Sequence, residues 1–330
     1  MRSDGGMVSL LSTDAAPSPV PLLTAASIGR PDRAERRGEL IRVGRGVYAP
    51  RALWQALAPW DRYLARVHAA AIAYPDAVFL LESAAALQGL PVFAEPREVH
   101  VALPAPASAR AFTGVRIHTR ERMPATHEIG GLHIATAAEV AVEFARLRHP
   151  AVALAVVGAA LRADHSLDVA DLGHLSAALP SQRGCRRALW VFDRASATPE
   201  SPLENVSVAA IEWLGFEVPQ LQQWVRGRHP DDADRVDFLW PGRRVAGEAD
   251  GDLKYSGELG DARAALRARN ARDARLMRHG ISATAHWSWP DVSAPRQLRA
   301  ILLAAGIRPT RPEETAPLHT LAAALRSRGF

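Results

Sequence analysis

The sequence predicts a mixed α/β fold. Short runs that are wholly apolar, or that alternate apolar and polar residues, are typical of strands. They recur along the chain between longer runs with apolar residues three or four apart, which are typical of helices. Hydrophobic residues make up 48% of the 330 residues, so the chain can form sizeable cores. A chain of this length most often holds two or three domains.

The charge and the cysteine content limit the classes of protein to which this chain can belong. The formal charge is +5 and the isoelectric point about 10.1. Basic proteins often bind nucleic acid, although an arginine-rich chain is basic whatever its role. The single cysteine, Cys185, excludes internal disulfides and cysteine-ligated zinc. We find no secretory signal and no apolar run near the ~20 residues of a membrane helix, so we expect a soluble cytoplasmic protein without a membrane partner.

The N-terminal region predicts a small winged-helix-like module. Residues 1–18 are rich in Ser, Gly and Pro and predict a disordered tail. The module itself covers 19–50. Its predicted elements are helices over 21–28 and 31–37 and a hairpin over 39–48. Arg42 and Arg45 lie on this hairpin, where they would contact DNA phosphates or, equally well, remain solvated.

Residues 51–195 predict an α/β middle region. Its predicted strands cover 77–81, 99–103, 115–118 and 132–135, and its helices cover 52–74, 82–87, 136–148, 151–163, 166–178 and 183–195. Trp60 belongs to the apolar stripe of the first helix, so we expect it in the core. His100, His118 and His133 lack close metal-ligand spacing and are interpreted as ordinary strand histidines. Glu82, directly after a strand, is a minor candidate for function.

A linker over 196–201 leads into a C-terminal domain over 201–305. Its predicted helices cover 202–215, 259–279 and 294–305, and its predicted strands cover 216–225, 236–240, 244–249 and 282–289. Ser201 is a good N-cap with proline at the first helical position. The second helix carries six arginines, which suit either a phosphate backbone or a solvated face. Residues 306–330 predict a tail that ends in a short helix.

The hairpin over 236–249 gathers carboxylates on an apolar scaffold. Asp237 lies on its first strand, and Glu248 and Asp250 share a face of the second because they are two residues apart. Buried like charges are costly unless a cation lies between them, and oxygen ligands suit Mg²⁺ or Mn²⁺. Lys254 is the only lysine among 40 Lys and Arg residues. A lysine beside these carboxylates suits catalysis better than arginine, although the chance survival of one surface lysine is the alternative.

The order Asp237, Glu248 and then a lysine resembles the PD-(D/E)XK nuclease signature, and the surrounding residues resemble its very-short-patch-repair (Vsr-like) branch. The supporting pieces are Ser-Pro-Leu-Glu at 201–204, Glu-Ala-Asp-Gly at 248–251 and Trp-Ser-Trp-Pro-Asp at 287–291. The hairpin over 38–50 and the middle region resemble abortive-infection type IV (AbiEi-like) antitoxins. One position departs from the nuclease pattern, because Asp250 stands where the family has its lysine.

The resemblance implies a restriction-endonuclease-like C-terminal fold and a metal-dependent endonuclease acting on DNA, in phage defence or DNA repair. Its metal ligands would be Asp237, Glu248 and Glu204, although Glu204 is equally well explained as an acid favoured by the helix N-terminus. Asp250 would assist, and Lys254 would orient the attacking water. Arg272 and Arg269 would bind DNA.

Two other classes of protein stay open. One is a DNA-binding, antitoxin-like regulator with a degenerate nuclease domain, which Asp250 in the lysine position favours. The other is an interaction protein whose acidic hairpin is a solvated turn. Convergence of three carboxylates would favour the enzyme. A cognate toxin and a homo-oligomer are both left open as partners beside DNA.

Overall fold

A computed structural model describes residues 15–103, 113–119, 122–227, 232–250 and 259–326. Their strands form a three-stranded, a five-stranded and a four-stranded sheet, with helices packed between and around them. The predicted α/β class is therefore confirmed. None of the helices in these ranges is both long enough and apolar enough to cross a membrane.

The N-terminal sheet contains the predicted hairpin. Its strands are β1 (Leu23–Thr24), β2 (Leu40–Gly44) and β3 (Val47–Pro50), in the antiparallel order β1-β3-β2, with α1 (Pro31–Arg36) before β2. The predicted helix over 21–28 is wrong, because Leu23 and Thr24 pair with Tyr48 and Val47 of β3. Only a 3-10 turn, Ala25–Ser27, is helical there. A partner distant in sequence decided this conformation, so local pattern could not reveal it.

The helix predicted over 52–74 is broken into α2 (Arg51–Ala56) and α3 (Pro59–Ala73). Proline disfavours helical geometry in the residue before it, and Ala58 is extended, with ψ of 159°. Trp60 then falls in the first turn of α3 and is 55% exposed, so its predicted place in the core is wrong. The buried face of α3 is formed instead by Tyr63 and Val67 and their neighbours.

The middle sheet has the order β6-β5-β4-β8-β7. Its strands are β4 (Val78–Phe79), β5 (Val99–Ala102), β6 (Val115–His118), β7 (Thr126–Ile129) and β8 (Leu132–Ala135). Sequence analysis missed β7, three of whose four residues are exposed, because an exposed edge strand carries little apolar pattern. The helices of this region are α4 (Leu81–Leu87), α5 (Ala137–Leu147), α6 (Pro150–Ala163), α7 (Val169–Ala177) and α8 (Cys185–Phe192).

The C-terminal sheet has the order β12-β11-β10-β9, with β11 and β12 parallel and the other pairs antiparallel. Its strands are β9 (Gln220–Arg226), β10 (Ala233–Trp240), β11 (Val245–Ala249) and β12 (Ala283–Trp287). Its helices are α9 (Pro202–Trp213), α10 (Leu259–Arg278), α11 (Trp289–Ser293) and α12 (Pro295–Ala304). The Ser201 cap is confirmed, since its hydroxyl accepts from the Glu204 amide at 3.1 Å. The predicted strand over 282–289 ends early, because Ser288 caps α11.

One apolar core runs through the middle and C-terminal regions. Gly158 of α6 lies so close to α9 that a Cβ there would come within 2.6 Å of the Asn205 side chain. The last helix, α13 (Thr315–Leu325), buries Leu318 and Leu321 against this core and contacts α6 and α9. The short helix predicted in the tail is therefore part of the packed fold. The domain boundaries themselves stay a prediction.

Candidate functional site

A row of polar side chains crosses the C-terminal sheet. Phe238 of β10 pairs with Gly247 of β11 and Leu221 of β9. The residue before it, Asp237, therefore lies beside Glu248 on one side and Gln222 on the other. Glu248 in turn pairs with His286 of β12. The hairpin register thus brings together the two carboxylates that the sequence singled out.

Gln222 connects Asp237 to the third predicted ligand, Glu204. Its side-chain amide donates to Glu204 Oε2 at 2.7 Å and to Asp237 Oδ1 at 3.0 Å. Glu204 is buried and also accepts from the Glu200 backbone amide at 2.9 Å. Gln222 has φ of +53°, which is uncommon outside glycine and concentrates at functional sites. The sequence did not predict this residue as part of the site, because it is one of three glutamines in the strand and nothing in the pattern sets it apart.

Half-buried Asp237 and buried Glu248 form a carboxylate pair. Glu248 is 7% exposed. Burial raises the pKa of Glu248 to about 8, with Asp237 adding to the shift and Arg272 opposing it. The pKa of Asp237 is also raised, mainly by burial, although the Ala249 amide donates to its Oδ2 at 2.9 Å and opposes this. Two adjacent carboxyls that resist ionisation together are stabilised by a cation.

Arg272 reaches this pair from α10. Its NH2 donates to Glu248 Oε1 at 2.9 Å and also to the Arg235 carbonyl. Its Nε is buried and has no hydrogen-bond partner within the described residues. The side chain as a whole is 37% exposed, so other donors of this guanidinium can reach a further acceptor.

Asp250 belongs to a neighbouring cluster rather than to the carboxylate pair. Its Oδ2 contacts Arg269 NH2 at 2.8 Å and His286 Nδ1 at 3.1 Å, and His286 Nε2 contacts Asp273 at 3.0 Å. Burial lowers the pKa of His286, but the contacts with the two aspartates outweigh burial and raise it. The imidazole therefore favours its charged form. His286 and Asp273 were missed because nothing in the spacing along the sequence links them to Asp250.

The remaining predicted residues lie elsewhere. Arg42 and Arg45 are exposed on the β2–β3 hairpin of the N-terminal sheet. Lys254 lies outside the described residues, so its predicted role stays a prediction.

The carboxylate oxygens of this site meet part of what a hard divalent cation requires. No group of three His, Cys, Asp or Glu side chains within the described ranges is arranged to hold a metal ion. The predicted convergence of three carboxylates is therefore not seen among the described residues. Asp250 is engaged by Arg269 and His286, and Gln222 stands between Glu204 and Asp237. Mg²⁺, however, usually takes one or two carboxylates and completes its shell with water and substrate phosphate. Asp237 and Glu248 meet that requirement.

The fold and this site define an α/β protein whose mixed sheet carries a carboxylate pair, one member buried and the other half-buried, next to an arginine. No protein-family model matches the chain. It is similar to the uncharacterized proteins MT2308 and Rv2248 of two Mycobacterium tuberculosis strains, CDC 1551 / Oshkosh and ATCC 25618 / H37Rv. In each case the identity is 32% over 216 residues, which cover 64% of this chain and 74% of the relative. The chain belongs to the family of these mycobacterial proteins.

The raised pKa of Glu248 predicts a pH-dependent stability in the metal-free protein. Because the folded-state pKa lies above the ordinary 4.5, the neutral carboxyl stabilises the fold at low pH. That contribution is lost progressively as pH rises from about 4.5 to about 8. In the presence of a chelator, we expect the free energy of unfolding to fall over this window by an amount on the order of a few kcal/mol.

Urea unfolding at a series of pH values measures this effect. Glu248→Gln imitates the neutral carboxyl, so this variant should lose most of the pH dependence and exceed wild type in stability at the alkaline end. Glu217→Gln, which alters an exposed glutamate of the same domain, should follow wild type. If the free energy of unfolding changes with pH to the same extent in wild type and in Glu248→Gln, Glu248 ionises normally.

Proposed function

We propose that this protein is a Mg²⁺- or Mn²⁺-dependent nuclease that hydrolyses phosphodiester bonds in DNA. The observation that carries the proposal is the carboxylate pair of half-buried Asp237 and buried Glu248, which are adjacent across a hairpin and both have a raised pKa. A carboxylate pair of this kind is costly to maintain without a cation to bind. The proposal agrees with the PD-(D/E)XK resemblance of the same residues.

Each residue of the site has a distinct role in this proposal. Asp237 and Glu248 would hold the cation, and Gln222 would fix the orientation of Asp237 against Glu204. When bound, the cation would polarise the scissile phosphate and lower the pKa of the attacking water. The exposed part of the Arg272 guanidinium would donate to a phosphate oxygen. Lys254 would orient the water, and Arg269 would contact the DNA backbone.

A non-catalytic, antitoxin-like DNA-binding regulator is the second candidate. It is favoured by Asp250, which occupies the usual lysine position and is held by Arg269 and His286. In that case Arg42 and Arg45 of the N-terminal hairpin would be main phosphate contacts. Both candidates imply a protein working beside DNA in the cytoplasm, and the single cysteine suits that reducing compartment.

The test is cleavage of supercoiled plasmid and of single-stranded DNA by the full chain. We expect cutting with Mg²⁺ or Mn²⁺ and none in the presence of a chelator. Lys254→Ala should cut at least about 100-fold more slowly, which is the low end for loss of a group that assists proton transfer. Normal cutting by Lys254→Ala would make Lys254 a surface residue. Binding of DNA without any cutting would favour the regulator.

A further inference from the structure

A cavity of about 670 Å³ lies in the middle region and shares no lining residue with the carboxylate pair. Its volume falls within the range of small-molecule sites. The middle sheet, the junction between α5 and α6, and the start of α8 form most of its wall. Pro317 and Thr320 of α13 close one side. The α5–α6 junction and α13 are in direct contact, because His149 Nε2 lies 3.0 Å from the Pro317 carbonyl.

Positive charge exceeds negative charge around this cavity. It is lined by two glutamates, Glu82 and Glu98, and by five arginines: Arg97, Arg116, Arg148, Arg183 and Arg187. Each glutamate already has an arginine partner. Arg148 holds Glu82 through two hydrogen bonds, one of them 2.7 Å long, and Arg116 lies 2.8 Å from Glu98.

The other three arginines have no carboxylate in ion-pair contact within the described residues. Arg97, Arg183 and Arg187 are all exposed, and Arg187 donates to the Arg146 carbonyl. Three arginines without a carboxylate partner among the described residues line one cavity, so an anionic ligand would find complementary charge there. Guanidiniums suit phosphate in particular, because their donors match its oxygen atoms two at a time.

The side chains at the base of the cavity are held by contacts with one another and carry no spare charge. His100 Nε2 lies 3.5 Å from Glu82 Oε2, and its Nδ1 lies 3.0 Å from His118 Nε2. Burial lowers the pKa of His100 to about 4, so this imidazole is neutral. Burial would raise the pKa of Glu82, but the two bonds from Arg148 outweigh it and lower the pKa. The base therefore offers a fixed, neutral hydrogen-bonding surface.

Apart from His149 and Thr320, the remaining wall is apolar. It is formed by Phe93, Phe144, Leu147, Pro150 and Val152. Inorganic phosphate would leave this wall and most of the volume empty. A ligand that uses the whole cavity needs an apolar ring system as well as several negative charges.

We propose that this cavity binds a nucleoside di- or triphosphate, with its phosphates on Arg97, Arg183 and Arg187 and its base against the Phe93–Phe144 side. The three surplus guanidiniums match the charge of such a ligand, and the apolar wall matches its ring. Because α13 forms part of the wall, the occupied cavity also stabilises the docking of the C-terminal helix. This site is independent of the proposed nuclease site.

Isothermal titration calorimetry of the full chain tests the proposal with ATP and ADP, and with adenosine and tripolyphosphate as the separated halves of the ligand. We expect nucleotide binding in the micromolar range, with each half at least about tenfold weaker. Arg97→Ala and Arg183→Ala should each weaken ATP binding at least about fivefold. Both substitutions leave the backbone unchanged, so the carbonyls of residues 97 and 183 can still accept hydrogen bonds from the Arg66 and Arg146 side chains.

Arg186→Ala is the matched control, because Arg186 is an exposed neighbour of Arg187 on the same helix that does not line the cavity. It should bind ATP as wild type does. Asp237→Asn should also bind ATP normally, which separates this site from the nuclease site. No binding up to about 1 mM nucleotide, equal effects of Arg186→Ala and Arg183→Ala, or tripolyphosphate binding as tightly as ATP would each overturn the proposal.

Discussion

Replacing Asp237 with asparagine should reduce metal-dependent DNA cleavage at least about 100-fold, the loss typical when a group that stabilises charge in the transition state is removed. The aspartate accepts the Ala249 amide at Oδ2 and Gln222 at Oδ1, so its carboxylate is held in one orientation beside Glu248. Asparagine keeps the shape but loses the charge, and its NH2 group cannot accept from Gln222. Both the cation and the Glu204–Gln222–Asp237 connection should therefore weaken.

Glu248→Gln is the companion variant with the least risk to folding. Because the pKa of Glu248 is about 8, its neutral form is already compatible with the fold, and glutamine imitates that form while still accepting from Arg272. We expect a loss of cleavage similar to that of Asp237→Asn with no loss of thermal stability. Calorimetric titration with Mn²⁺ gives a readout besides activity, and both variants should bind the ion more weakly than wild type.

The control for loss of charge alone is the variant Glu217→Gln, which alters an exposed glutamate of the same domain. This variant should cleave DNA and bind Mn²⁺ normally. DNA binding measured by fluorescence anisotropy should persist in all three variants. If Asp237→Asn and Glu248→Gln cut DNA at the wild-type rate, the carboxylate pair is not the metal site and the proposed function fails. If they lose Mn²⁺ binding but wild type never cuts, the site binds a cation without performing hydrolysis.

The sequence predicted those parts of this fold that depend on neighbours along the chain. The Ser201 cap, the helix that follows it and the hairpin carrying Asp237 and Glu248 are all specified by local pattern, turn residues and capping chemistry. The adjacency of the two carboxylates then follows from the hairpin register alone. This explains why the centre of the candidate site could be named before the fold was known.

The parts that sequence analysis missed depend on contacts between distant segments. Gln222 reaches Glu204 and Asp237 only because β9 pairs with β10, and its positive φ has no sequence signal in a glutamine. His286 of β12 contacts Asp250, which follows β11, and Asp273 of α10. Trp60 shows the opposite error, since an apolar stripe predicted burial that the helix break at Pro59 prevents. Periodicity describes one segment and carries no information about its partner.

Replacing Trp287 with alanine should destabilise the protein by about 3–5 kcal/mol, the usual cost of emptying a buried aromatic site. Trp287 is 1% exposed and packs on Phe238 with ring centroids 4.9 Å apart. Its indole Nε1 donates to the buried Ser207 hydroxyl at 2.8 Å, which ties β12 to α9. Gly247 lacks a side chain at the point of contact, where a Cβ would come within 2.6 Å of the indole.

Urea unfolding followed by far-UV circular dichroism measures this effect, with an unchanged denaturant slope showing that stability alone has altered. Trp224→Ala is the matched control, because Trp224 lies in the same sheet but is 58% exposed, and its loss should cost no more than about 0.5 kcal/mol. Equal midpoints for the two variants would show that the indole of Trp287 does not hold β12 in place. Since β12 carries His286 beside Glu248, a shifted midpoint should come with weaker Mn²⁺ binding, linking the core to the carboxylate pair.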